Sequence, residues 1–446
     1  MSAAATAPAG VASRLVAWRV LQRVHRDGAW AGPAVDRALR DSDLTARDRA
    51  FAANLAFQTL RWQGTLDWAL GQVVRRQLDK VERDVLDVLR LGAWQLLYGQ
   101  VPDRAAVTTA AEVARAVLPA RAVGFVNGVL RGLARHRTTL PWPPSDTIAG
   151  QALRLGYPTW IVEAAHERFG AGAGAELDAG NRPAALTVRA REVEQARAGL
   201  TARGAVVTGG RLAPEALVLD GLTPAEVTAA FGTNVTIQDE ASMVVGRIVA
   251  TAVERGGTVL DVCAAPGGKS THLAELGLQV TAADRHPGRL QLVTELADRL
   301  SVPLAAAVAD GTRPPWRPAA FAGILVDAPC SGLGVVRRRP ELRWRRTADD
   351  VTALAALQGR LLDASARCVA PGGALVYSVC TWTTQETVDV VGQFLSRTPD
   401  FIAQDVPVDL AGAAPGPGLQ LGSEVHGSDG MFIAVFRRVG ASHTAS

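Results

Sequence analysis

Two cysteines lie at the ends of short strand-forming runs. Cys330 sits in Asp327-Ala-Pro-Cys330-Ser-Gly332 after residues 323–326, and Cys380 in Tyr377-Ser-Val-Cys380-Thr381 after residues 374–377. A buried cysteine is ordinarily a small hydrophobe, but the carboxyl ends of strands are where open α/β sheets hold their ligands. Two thiols so placed, downstream of a glycine-rich loop, imply sulfur chemistry beside a bound cofactor. A thiolate is the reactive form, and with an ordinary pKa of about 8.5 it needs nearby positive charge or hydrogen-bond donors. Lys269, one of only two lysines in the chain, lies in the glycine-rich loop.

That loop, Val259-Leu-Asp-Val-Cys-Ala-Ala-Pro-Gly-Gly-Lys-Ser270, reads as a strand, a tight turn of small residues and a helix start, where backbone N–H groups approach a ligand closely. It nearly matches a phosphate-binding P-loop. Cys263, however, occupies the first required glycine position, and Pro266 removes an N–H from the nest, so an NTPase is the lesser alternative. Carboxylates mark three successive strands: Asp261 within the first, Asp284 ending the second and Asp310 ending the third. Asp284 stands where α/β nucleotide sites hold a ribose diol, and Asp310 could accept from an adenine amino group. The set favours an adenosine-type cofactor.

The elements that must carry these residues follow from periodicity. Residues 12–137 are helical throughout, with apolar positions such as Leu86, Leu89, Ala93, Leu96 and Leu97 and basic ones including Arg14, Arg61, Arg75, Arg76, Arg90, Arg121 and Arg131. Those arginines read as solvated helix faces or as a docking surface for nucleic acid. The proline-rich 140–146 segment is a linker. Beyond it, a helix over 158–168 and strands at 185–189, 205–207 and 216–219 predict a small α+β module. From residue 238 strands (258–262, 279–283, 305–309, 322–326, 374–377) alternate with helices, predicting a doubly wound, mainly parallel sheet. The 441–446 tail reads as loose.

At 446 residues, with a net charge of +4, the chain is too long for one core. The opening residues 1–10 lack a positive n-region and a long apolar core. No run of eighteen uncharged apolar residues occurs, so a cytoplasmic protein without a membrane partner is expected. Four cysteines without a C-x-x-C pair and seven scattered histidines predict neither disulfides nor a metal site.

Over residues 238–438 the sequence resembles the bacterial RNA cytosine-5 methyltransferases. The likeness rests on Asp261 to Lys269, Asp284, Asp310, Asp327-Ala-Pro-Cys-Ser-Gly-Leu-Gly334, Tyr377-Ser-Val-Cys-Thr381 with Glu386, and Asp429-Gly-Met-Phe-Ile433. Asp48-Arg-Ala-Phe51, Arg90-Leu-Gly-Ala-Trp-Gln-Leu-Leu97 and Gly124-Phe-Val-Asn-Gly-Val-Leu-Arg131 resemble the NusB-like domain fused to the small-subunit (16S) ribosomal RNA branch, often called RsmB, Sun or Fmu. Val379 stands where that family commonly has Thr, and Arg191 where it has Asn.

The resemblance implies three parts: an all-α NusB-like RNA- or protein-docking domain (1–140), a small α+β RNA-binding module (147–237), and a Rossmann-like methyltransferase domain (238–440). It further implies a monomer that uses S-adenosylmethionine and acts on small-subunit ribosomal RNA without a metal. Cys263, Ala264, Ala265, Pro266, Gly267, Gly268, Lys269, Asp284, Asp310 and Asp327 would hold the cofactor. Cys380 would be the nucleophile, Cys330 would serve product release, and Asp327 would also hold the cytosine.

The chemistry has its own logic: carbon 5 of cytosine is a poor nucleophile, and a thiolate added at carbon 6 makes the ring enamine-like. A second acid/base group then speeds loss of the carbon-5 proton and expulsion of the thiol. Six arginines around Trp344 in 337–346 suit a phosphate backbone with the indole stacked on an unpaired base, or else form a solvated face. Two other readings remain open. In one, Cys330 is the nucleophile, as in DNA cytosine-5 methyltransferases; in the other, the chain is an RNA-binding, antitermination-like factor whose cofactor fold no longer reacts.

Overall fold

The computed structural model describes residues 10–74, 77–406 and 417–439, so Arg75, Arg76 and the 441–446 tail lie outside the described residues. It contains two compact units, Met1–His166 with Arg338–Arg345, and Glu167–Arg337 with Arg346–Ser446.

The first unit is helical, with Val11–Arg26, Ala31–Arg40, Ala46–Arg61, Gln63–Gly71, Arg83–Leu97, Asp103–Val117 and Ala120–His136 as its main helices. Its core is aliphatic: Leu21, Leu55, Leu66, Leu70 and Leu89 are wholly buried, as the helical period predicts. Several of the arginines, however, face inward. Arg14 Nε donates to Gln95 Oε1 at 2.8 Å, and Arg90 grips Asp67 through two bonds of 2.7 Å. Buried Asp87 accepts from Arg90 and Gln22 and pairs with His25. Arg14, Arg61 and Arg90 are therefore neither a solvated face nor a docking surface.

Residues 338–345 belong to this unit and correct the stacking role expected for Trp344. The indole packs on Gly64, where an added Cβ would lie 2.5 Å from the ring, and its Nε1 donates to the Leu60 carbonyl at 2.6 Å. Arg343 is fully buried, donating to the Gly156 carbonyl and lying 3.8 Å over the Tyr157 ring. Arg345 donates to the Val24, Gly28 and Ala29 carbonyls, so orphan carbonyls at the end of helix Val11–Arg26 find their donor here. The arginine-rich run is internal structure over these positions.

The second unit contains two sheets. The smaller has the order β2-β3-β1-β4, all antiparallel, from β1 (Leu186–Ala190), β2 (Val206–Gly209), β3 (Ala216–Asp220) and β4 (Val235–Ile237). Turn signals predict its first three strands; β4, with three residues, is too short to announce itself.

The larger sheet comprises β5 (Thr258–Asp261), β6 (Gln279–Asp284), β7 (Ala305–Val308), β8 (Phe321–Asp327), β9 (Val369–Val379), β10 (Phe401–Gln404), β11 (Leu419–Leu421) and β12 (Met431–Arg438). Its order is β10-β12-β9-β8-β5-β6-β7, with β11 on β12. Strands β5 to β9 pair in parallel, whereas β10, β11 and β12 form an antiparallel edge that alternation does not foretell. The chain runs outward from β5 to β7 and then returns to β8 on the other flank of β5, so the switch point lies between β5 and β8.

Arg189 of β1 is buried and ties the small sheet to the helix Gly268–Glu275. Its guanidinium pairs with Glu275 at 2.8 Å and donates to the Gly268 carbonyl at 2.7 Å and Thr271 Oγ1 at 3.0 Å. Removing one partner of a buried ion pair costs about 3–5 kcal/mol when the other charge is left unpaired, and less here, because Arg191 also pairs with Glu275 at 3.3 Å. Arg189→Leu is expected to lower unfolding stability by about 1–3 kcal/mol in denaturant titrations; a change below ~0.5 kcal/mol would show that the network relaxes without cost.

Candidate active site

The site is built at the carboxyl ends of the parallel strands. β5 ends in Asp261, and the turn that follows enters helix Gly268–Glu275 through Gly267, whose φ is +105°. A Cβ there would lie 3.0 Å from Val293 Cα, so glycine is required for both conformation and space. Ala264 N donates to the Ala283 carbonyl and Gly267 N to the Ala264 carbonyl, which fastens the loop to β6. Arg289 donates to the Ala265 carbonyl across the Pro266 turn at 3.1 Å. Burial, reinforced by the surrounding carboxylates, pushes the Cys263 thiol up and keeps it neutral.

Asp261 is 1% exposed. Its Oδ2 accepts from Ser270 at 2.6 Å, while Oδ1 is buried with no hydrogen-bond partner. Burial, helped by the Asp327 charge and opposed by the Ser270 bond, pushes its pKa up to about 7. Asp284 ends β6, also buried; Oδ1 accepts from His286 N at 2.9 Å and Oδ2 lies 3.7 Å from Arg289. Asp310 stands two residues beyond the end of β7, not on it, and is exposed. The Thr312 N–H and hydroxyl both donate to its Oδ1 and hold the carboxyl below its usual range. A buried acceptor left unmet, with further carboxylates around it, is an acceptor set suited to a ligand bearing positive charge and hydroxyls.

Next to this cradle Asp327 ends β8, between two fixed partners: Lys269 Nζ at 2.8 Å on Oδ2 and Ser378 Oγ at 2.7 Å on Oδ1. Burial disfavours the Lys269 ammonium, but the Asp327 charge and hydrogen bond, with the Cys380 thiol, hold its pKa above the ordinary value. Cys330 and Cys380, fifty residues apart, meet with their sulfurs at 3.3 Å. Cys330 is buried, whereas Cys380 is partly exposed. The sulfur contact, then burial, then the charges of Cys380 and Glu386, raise the Cys330 pKa well above its usual value.

Other residues secure these loops, and the motifs alone gave them no role. Arg346 donates to the Ser331 and Cys330 carbonyls, and Ser331 Oγ meets Thr381 Oγ1 at 2.8 Å. Gly334 and Gly430 touch backbone to backbone: Gly430 N donates to the Gly334 carbonyl at 2.8 Å, and a Cβ on Gly334 would lie 2.1 Å from the Gly430 oxygen. Arg191, the departure from the family pattern, donates to the Leu300 carbonyl at 2.7 Å. Gln358 and Glu386 lie fully buried behind the thiols. A glutamine on the apolar face of helix Ala348–Ala366 is the one sequence signal that could have flagged the first of them.

Asp261 carries a pH prediction. A carboxyl whose folded pKa is raised is protonated in the folded chain up to about pH 7, while the unfolded chain releases that proton near the reference value of about 3.9. Its cost to folding is absent below about pH 4, grows as pH rises and is complete above about 7. Asp261→Asn keeps an acceptor for Ser270 and removes that cost. Its stability relative to the parent protein should improve from pH 5 to pH 8, by on the order of a few kcal/mol. Thermal melts of the cofactor-free protein at both values test this, and an equal gap at both would refute it.

Among the described residues no group of three or more His, Cys, Asp or Glu side chains could hold a metal ion, and no helix is long and apolar enough to cross a membrane. Fold and site together define a Rossmann-like methyltransferase of the S-adenosylmethionine-dependent class. Residues 248–437 match the family described as 16S rRNA methyltransferase RsmB/F, and residues 11–135 match the NusB family. A Mycobacterium tuberculosis H37Rv protein, named only as a methyltransferase, is 37% identical, with 96% of each chain covered. Ribosomal RNA small subunit methyltransferase B of Xylella fastidiosa Temecula1 is 35% identical, covering 95% of this chain and 97% of its own. The crystal structure of PH0851 superposes with a TM-score of 0.83 at 22% identity, over 97% of this chain and 99% of that one, a likeness of fold. The chain belongs to the RsmB/F family of 16S rRNA methyltransferases, with a NusB-like helical domain at its N-terminal side.

Proposed function

We propose that this protein transfers a methyl group from S-adenosylmethionine to carbon 5 of a cytosine in small-subunit ribosomal RNA, through a covalent bond between Cys380 and carbon 6. The observation that carries the reading is the meeting of the two thiols at 3.3 Å beside Asp327, itself bound to Lys269. The substrate follows from the names of the relatives, which include ribosomal RNA small subunit methyltransferase B of Xylella fastidiosa. The helical domain (1–140) would dock RNA or protein, the small α+β module (147–237) would bind RNA, and residues 238–440 would carry the reaction in the cytoplasm.

S-adenosylmethionine, when bound, supplies the methyl group as an electrophile. The loop from Cys263 through Ala264, Ala265, Pro266, Gly267 and Gly268 to Lys269 would hold it, with Asp284, Asp310 and Asp327. The unmet Asp261 oxygen supports that placement. Cys380 attacks carbon 6 as a thiolate, helped by the Lys269 ammonium, whose raised pKa keeps it charged at neutral pH. Asp327 would hold the cytosine in place by accepting from its amino group, and the Lys269 ammonium bound to Asp327 offsets the negative charge that thiolate addition brings onto the ring. After methylation a solvent water takes the carbon-5 proton, the carbon–sulfur bond breaks with its electron pair on Cys380, and the Cys330 S–H, 3.3 Å away, donates to the departing sulfur and so serves this release. A base must leave its stack to reach the sulfur, so a loop or locally unpaired site is the substrate.

The test is transfer of labelled methyl from S-adenosylmethionine to undermethylated small-subunit RNA, with 5-methylcytosine mapped in the product. RNA binding without transfer would favour the antitermination-like alternative.

A further inference from the structure

Behind the two thiols lies a carboxylate that the reaction as written does not use. Glu386 is wholly buried, and no ion pair to it occurs among the described residues. Its Oε1 accepts from Ser331 N at 2.8 Å and Gln358 Nε2 at 3.1 Å, and its Oε2 from Thr383 Oγ1 at 2.9 Å. Gln358, also wholly buried, donates from the same Nε2 to the Pro329 carbonyl at 2.9 Å. The Tyr377 hydroxyl donates to the Glu386 carbonyl at 2.7 Å and shares its hydrogen with Gln358 Oε1 at 3.0 Å.

The partners have a pattern. Pro329 and Ser331 are the peptide units on either side of Cys330, while Tyr377 and Thr383 are three residues before and three after Cys380. One buried pair of side chains therefore grips both thiol loops. Hydrogen bonding alone does not require an anion here, since a buried glutamine could accept the same Ser331 N–H. Every group that the Glu386 carboxylate oxygens meet is a donor, however, and such a surround is the complement of a carboxylate.

We propose that Glu386, braced by Gln358, is the positioning residue that fixes the Cys330 and Cys380 thiols against each other, and that its negative charge is what keeps their two roles distinct. The charge falls on the Cys330 side, through the Ser331 N–H, and opposes a second anion there; the Lys269 ammonium favours one at Cys380. The attacking sulfur and the sulfur that holds its proton are thereby told apart. This rests on the proposed thiol chemistry but is tested without it.

The test uses the full-length chain as Glu386→Gln and Glu386→Ala. In a Cys380→Ala background, which removes the neighbouring thiol, the Cys330 ¹³Cβ resonance is titrated against pH with Glu or Gln at 386. The midpoint is expected to fall by about one pH unit or more with Gln, because the opposing charge is gone while the acceptor remains. With Cys380 present, Glu386→Ala is expected to lower kcat at least ~100-fold with KM for S-adenosylmethionine within about twofold, and Glu386→Gln to recover part of that loss. An unshifted Cys330 midpoint in Glu386→Gln overturns the proposal, as does near-parental kcat in a folded Glu386→Ala protein. Should the alanine variant fail to fold, the glutamine titration still decides. Should the parent protein transfer no methyl group, the proposed reaction fails while the titration remains readable.

Discussion

Cys380→Ala is expected to abolish both the covalent RNA adduct and methyl transfer, a loss of at least roughly 10³-fold in turnover. Without a sulfur on carbon 6 the pyrimidine keeps its aromatic electron distribution, and carbon 5 does not attack an electrophile at a useful rate. The neighbouring thiol does not substitute. Cys330 is buried, and with Cys380 gone its burial and the Glu386 charge still hold it protonated. Cys330→Ala should therefore leave attack intact and slow release, so that adduct accumulates. RNA carrying 5-fluorocytosine blocks release in every variant and gives the readout on denaturing gels: a shifted band with the parent and Cys330→Ala, none with Cys380→Ala. A band that survives Cys380→Ala would move the nucleophile to Cys330, the arrangement of the DNA enzymes. Each change removes one sulfur from the edge of the apolar core around β8 and β9, so melting temperatures should fall by only a few degrees.

Much of this site is legible in the sequence because its chemistry sits at strand ends, which sequence marks twice: by the apolar run and by the residue that breaks it. Asp261, Asp284 and Asp327 each close a parallel strand, and Cys380 follows one directly. Asp310, expected at a strand end, lies two residues past it because β7 has only four residues and little apolar run to mark its close. Charge was the poorer guide. A run of arginines gives no sign of which way its side chains turn, and 343–345 turn inward because carbonyls at a helix end and an open place beside Gly64 lack other partners. The antiparallel edge escaped for another reason. β10 and β11 have four and three residues, and their pairing with β12 is a long-range contact that no local period records. The 3.3 Å approach of the two sulfurs is likewise tertiary: fifty intervening residues carry no sign of it.

Asp327→Asn is the second large effect, expected at about 10²–10⁴-fold in kcat. Asp327 joins the two halves of the site: Oδ2 holds Lys269 from the cofactor loop, and Oδ1 takes the Ser378 hydroxyl two residues before Cys380. The amide retains one acceptor but loses the charge, and the Lys269 ammonium then lies buried without the group that offset its desolvation. The pH dependence of stability carries the signature. A lysine whose folded pKa is raised contributes stability that is fully present below the unfolded value of about 10.4 and fades as pH rises through the folded value. The parent protein has that contribution at neutral pH and the asparagine variant lacks it. The stability gap between them should be widest near pH 7 and should narrow in strongly alkaline solution. Turnover should follow the same cause, because a Lys269 that loses its proton no longer favours a thiolate at Cys380. If Asp327→Asn matched the parent in both turnover and alkaline stability profile, the carboxylate would be a strand-end cap, and the charge that prepares the nucleophile would have to come from elsewhere.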